Sequence, residues 1–127
     1  MPPEQRNNLI SIEDRTYSFA LSLLRAFRKT PPADLADRVC WNQLLKSGTS
    51  AGANSAESGG TQSRADWRVK RFIALKEMRE TLFWLRLIRD ASVRSRPDLL
   101  PLIDEADQLV AILTVIARKA RSRPVGS

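Results

Sequence analysis

Histidine is missing from this 127-residue sequence, and cysteine occurs once, at Cys40. The first absence removes the commonest general base and the commonest metal ligand together. The second rules out an intrachain disulfide, which fits a reducing, cytoplasmic setting. No apolar run approaches the roughly 20 residues that span a bilayer. The N-terminal MPPEQRNN is polar, with no visible secretory signal. No stretch alternates apolar and polar residues for long enough to make a strand, and no segment repeats. Acidic residues are the minority, 14 against 21 Lys and Arg, for a formal charge of +7 and a pI near 10.5. That balance favours polyanionic partners: RNA, DNA or an acidic protein surface.

These absences bear directly on catalysis. A zinc site needs clustered His, Cys or carboxylates, which a chain with no His and one Cys cannot assemble. Glu77 and Glu80 form a lone E-x-x-E pair, whereas di-iron bundles also require Glu-x-x-His motifs. Ser47-Gly48-Thr49-Ser50 lacks the rest of a phosphate-loop pattern. Ser47 or Ser50 as a nucleophile would have no His base, and Lys46 is merely the sequence neighbour of Ser47. Cys40 reads as a core thiol. The expectation is a non-enzyme without metal or cofactor.

What is present is ordinary for one globular domain: 43% hydrophobic and 28% charged residues. The expected division is a flexible N-terminus over 1–10, a helical domain over 11–121 and a flexible tail over 122–127. Helix one starts near Ser11, which with Asp14 resembles a capping pair. Tyr17, Ala20, Leu21, Leu24 and Phe27 then keep the spacing of one apolar face, which Phe19 and Leu23 widen. Pro31-Pro32 ends it. Helix two begins at Pro32 or Ala33, with Asp34 and Asp37 in its first turn and apolar contacts from Leu35, Val39, Leu44 and Leu45. Gly59-Gly60 stops it. Helix three runs over about 63–91 and helix four from Pro97 or Asp98, with Leu99, Leu102, Ile103, Ala106, Leu109, Val110, Leu113, Ile116, Ala117 and Ala120 at spacings of three and four. Four helices with short connections imply an all-α, antiparallel up-down-up-down four-helix bundle.

Two stretches carry more than periodicity. Leu44–Glu57, LLKSGTSAGANSAE, is made almost wholly of small residues. Wound as a helix, Gly48, Ala51, Gly52 and Ser55 fall within roughly 100° of arc, a groove that another helix could enter. Composition alone leaves helix and Gly/Ser loop open, though an unstructured loop from Ser47 to Gly60 would be long for a compact domain. In helix three, Arg64, Arg68, Arg71, Arg79, Arg86 and Arg89 fall within roughly 80°, and nearly everything else is apolar. So wide an apolar surface must be buried on more than one side, which requires another subunit or leaves an exposed patch. Lys76, Glu77, Glu80 and Thr81 interrupt it, either as a solvated stripe or as a cluster that sets helix or subunit register. Trp67 and Trp84 are either core residues or interface anchors.

The two stretches also carry a resemblance. QLLKSGTSAGANSAES and WRVKRFIALKEMRETLFWL resemble the paired signatures of the bacterial four-helix-bundle proteins encoded by intervening sequences in large-subunit ribosomal RNA genes. That family also includes the accessory variability determinant of diversity-generating retroelements. Ser55 stands where the family usually has tyrosine, Met78 where it has alanine and Phe83 where it has tyrosine. The resemblance implies that the small-residue run is helical, that the bundle assembles as a ring-like homopentamer and that a basic surface binds nucleic acid. In the retroelement branch it further implies a reverse transcriptase partner.

The expected function is therefore an oligomeric protein that grips RNA or DNA backbone. Arg64, Arg68, Arg71, Arg79, Arg86 and Arg89 are the candidate phosphate ligands, joined by Arg118, Lys119 and Arg121 at the C-terminus. Gly48, Ala51, Gly52, Ser55, Glu77, Glu80 and Trp84 are the candidate helix-packing or oligomer residues. The alternative is an adaptor that docks a reverse transcriptase.

Overall fold

Short polar side chains open the helices. The computed structural model describes residues 10–61 and 63–122. The flexible ends expected over 1–10 and 122–127 lie, but for Ile10 and Ser122, outside the described residues. Helix α1 spans Ile12–Lys29, with the Ser11 hydroxyl accepting the Asp14 N–H at 3.1 Å. Helix α2 spans Leu35–Ser58. It starts later than Pro32 or Ala33, because Asp34 is not in the first turn. Asp34 is the extended N-cap, and its carboxylate accepts the Asp37 N–H at 2.8 Å. Helix α3 spans Arg64–Ala91 behind Ser63, which accepts the Asp66 N–H in the same way. A 3-10 turn at Pro97–Leu99 leads into α4, Leu100–Ser122. Among the described residues there is no strand.

Each helix packs on its sequence neighbours and α1 also meets α4, so the four rods enclose one core. The α2–α3 seam is the most extensive. Fully buried Leu23, Trp41, Leu44, Met78, Leu85, Leu109 and Leu113, from all four helices, make up the core between the rods. Each such aliphatic side chain contributes about 1.5–3 kcal/mol on leaving water. Polar groups tie the seams at defined heights. Thr81 of α3 donates to Ser47 Oγ of α2 at 3.0 Å, in a fully buried position. Arg15 of α1 grips Glu105 of α4 with both Nε and Nη2. Arg96 forks onto Asp98 at 3.0 and 2.9 Å and lies over the Trp41 ring, pinning the α3–α4 connection to α2.

The small-residue run is helical, inside α2, with Ser47, Gly48, Ala51, Gly52 and Ser55 all buried. Its groove is filled by α1. A Cβ on Gly52 would sit 3.2 Å from the Thr16 carbonyl oxygen, and one on Gly48 would collide with Leu23 Cδ1. These residues therefore act in packing within one protomer. Three expected apolar contacts differ. Tyr17, Leu35 and Val39 are 69%, 68% and 53% exposed. Leu35 and Val39 precede Trp41, the first buried residue of α2, and the inward side of α1 runs through Thr16, Phe19 and Leu23, the flank rather than the centre of the expected face.

Candidate nucleic-acid interface

The six arginines of α3 share one arc because their spacings of three, four, seven and eight residues return to the same azimuth. Buried Leu75 and Leu82 lie at that azimuth too. The arc therefore faces the edge of the core rather than open water, and the arginines have divergent fates.

Arg71 leaves the predicted ridge. Its side chain is only 9% exposed, pairs with Glu13 of α1 and stacks 5.4 Å from the Trp67 ring centroid. Arg64 lies 5.7 Å from the same ring, so the two cations at i−3 and i+4 bracket the indole. Arg89 pairs with Asp90 at 2.8 Å, whose carboxylate hydrogen bond raises its pKa. Arg86 stands 4.0 Å from Asp107 of α4. Arg68 and Arg79 have no ion pair among the described residues, nor has Arg118 of α4. Lys119 is exposed, and the side chain of Arg121 lies outside the described residues.

Arg79 and Arg118 converge on a groove of about 530 Å³ between α3 and α4, lined also by Phe72, Leu75, Lys76, Thr114 and Ala117. Arg79 separates it from a second hollow of about 400 Å³ beside Leu82, Phe83, Arg86, Leu87 and Asp90. Of the basic C-terminal residues expected from sequence, Arg118 thus meets Arg79 of α3 at one seam. Thr114 and Asp107 were not singled out from sequence. They lie on the polar side of α4, and only the helix-to-helix register brings them opposite Lys76 and Arg86.

The outer face of α3 carries Val69, Phe83 and Leu87, exposed at 53%, 55% and 38%. Trp84 is half-buried, edge-on to Phe83 with centroids 4.9 Å apart, and its buried indole N–H has no hydrogen-bond partner. Glu80 is exposed and Glu77 half-buried. Desolvation first, then the Glu80 carboxylate beside it, push the Glu77 pKa above the ordinary range, against the pull of Lys76 and Lys46. Among the described residues no three His, Cys, Asp or Glu side chains gather as metal ligands, and no helix is long and apolar enough to cross a membrane.

Comparison with known proteins places this architecture. The chain is similar to a protein of unknown function from the S23 ribosomal protein family of Bacteroides thetaiotaomicron, whose crystal structure is known at 1.70 Å resolution. The two share 29% sequence identity and a TM-score of 0.74, over 85% of this chain and 99% of that one. No curated protein matches this sequence. The model of the 23S rRNA-intervening sequence proteins matches residues 10–115, from before α1 into α4 and across both signature stretches, and the chain belongs to that family.

Proposed function

We propose that this protein is a non-catalytic, cytoplasmic, oligomeric binder of RNA or DNA that grips the sugar–phosphate backbone along the α3–α4 seam. The observation that carries this reading is the set of unpaired cations there. Arg79 and Arg118 line the groove, Arg68 lies on the same arc of α3, and none of the three has an acidic partner among the described residues, on a chain of charge +7. Guanidinium forks fit phosphate oxygens and read no sequence by themselves. Membership in a family named for ribosomal RNA intervening sequences agrees with a nucleic-acid partner.

The bundle in this reading runs antiparallel, up-down-up-down, and assembles into a ring of identical subunits. The exposed Phe83 and Leu87, one turn apart, with Val69 further along the same face, support an assembly, because large apolar side chains on one helix face are costly to leave wet.

The test is a salt titration of binding. Log affinity is expected to fall linearly with log salt, with a slope of about −2.7 per protomer for three duplex phosphate contacts. The triple variant Arg68→Glu, Arg79→Glu, Arg118→Glu is expected to lose binding while keeping its helical content. Unchanged affinity in that variant rejects the seam as the interface.

A further inference from the structure

We propose that the α3–α4 groove seats one unstacked nucleotide of a single-stranded nucleic acid, with the base on its apolar floor and the adjoining phosphate on its cationic rim. This rests on the nucleic-acid reading above and goes further, because it assigns strand selectivity to a named hollow.

The rim and the floor differ in chemistry. Lys76 and Arg79 of α3 and Arg118 of α4 are exposed and carry no ion pair among the described residues. Leu75 and Ala117, 6% and 3% exposed, make the bottom. Thr114 donates its one hydroxyl proton to the Val110 carbonyl at 2.7 Å. Its oxygen is left as an acceptor at the groove wall, suited to an exocyclic amine of a base. A ligand that was phosphate alone would satisfy the rim and leave the floor wet. A flat heterocycle with a phosphate attached satisfies both.

Size and competition sharpen the assignment. About 530 Å³ is within the usual range of roughly 300–1,000 Å³ for sites that enclose one small molecule. It is too small for a turn of duplex. In a duplex the bases are stacked inside, so only phosphates and sugars could reach the rim. The neighbouring hollow is a poorer anion site: Asp90 is on its wall, and Arg86 lies within 4.0 Å of Asp107. The three cations therefore favour the first groove, and its floor favours an unpaired base.

Fluorescence anisotropy with a labelled single-stranded RNA and with a blunt duplex of the same composition tests this. Thr114→Phe fills the groove without changing charge, and its melting temperature and circular dichroism check the fold. The strand is expected to bind about tenfold more tightly than the duplex, and Thr114→Phe to remove that preference. Independently of any variant, a 4-thiouridine strand irradiated on the parent protein is expected to crosslink to the segments 72–79 and 114–118. Equal affinity for strand and duplex, or crosslinks confined to other segments, overturns the groove assignment and leaves backbone binding standing. A free 5′-mononucleotide that competes as well as the strand overturns the strand assignment. Failure of both oligonucleotides to bind at low salt overturns the backbone reading as well.

Discussion

Leu23 of α1 occupies the volume that any side chain on Gly48 of α2 would need. Leu23 is fully buried, so it has nowhere to retreat. One turn on, the α1 backbone itself closes over Gly52, where a Cβ would meet the Thr16 carbonyl at 3.2 Å. Each glycine inside α2 costs the isolated helix about 1 kcal/mol relative to alanine. The close approach of α1 offsets that cost through packing spread over many atoms.

Gly52→Leu is therefore expected to destabilise the fold by about 1–3 kcal/mol or more, since the contact it makes is with backbone rather than with a flexible side chain. Urea unfolding followed by far-ultraviolet circular dichroism measures it. A variant as stable as the parent would show that α1 does not seat in the α2 groove.

Arg71 and Arg79 lie on the same arc of α3, and their substitution is expected to have opposite consequences. Arg71→Ala strips Glu13 of its partner and Trp67 of a stacked cation. Because Glu13 is about one-third exposed, the loss is about 1–3 kcal/mol, below the range for a fully buried pair. Nucleic-acid affinity should not change beyond that explained by stability. Arg79→Ala should leave the melting temperature within a degree or so and weaken binding with a shallower salt slope. Paired thermal melts and binding isotherms of the two variants decide the matter.

Glu77 makes stability depend on pH in a definite direction. Its folded-state pKa is raised above the ordinary value of 4.5 by desolvation and by Glu80. Its contribution is favourable below that value and is lost as pH rises through the folded pKa. Glu77→Gln mimics the protonated form, so it is expected to melt above the parent at about pH 7 and together with it at about pH 4. Asp98 acts in the opposite sense. Arg96 holds its carboxyl below the ordinary 3.8, so its contribution disappears only as pH falls through that lower range. Thermal melts across the range, with a parent curve parallel to that of Glu77→Gln, would exclude the carboxylate cluster as the cause.

Phe83→Glu with Leu87→Glu places two charges on the exposed apolar face of α3, where neither side chain belongs to the protomer core. Light scattering is expected to show the parent as an assembly and this variant as a monomer with its helical content kept. A parent that is monomeric at high concentration, or a variant that stays assembled, would place the subunit contact elsewhere or remove it.

Helix number, approximate bounds and two of the starts were legible along the chain, because a cap such as Ser11 and a 3.6-residue apolar period act within a few residues of themselves. Family membership was legible as well, in the two signature stretches. The occupant of the small-residue groove, the exposure of Leu35 and Val39 and the withdrawal of Arg71 from the cationic row were not. Each depends on which rod lies beside which, and at what height.

A helical wheel assigns an azimuth to every side chain but does not say whether water, a carboxylate or a second helix waits there. Arg71 and Arg79 are alike in chemistry and stand at the two edges of one arc of roughly 80°. Glu13 of α1 stands beside one, and a groove opens beside the other. Composition and period were enough for four rods and their charge. Contacts between residues dozens of positions apart chose which arginines remain available to a ligand, because such pairings form only when the core closes.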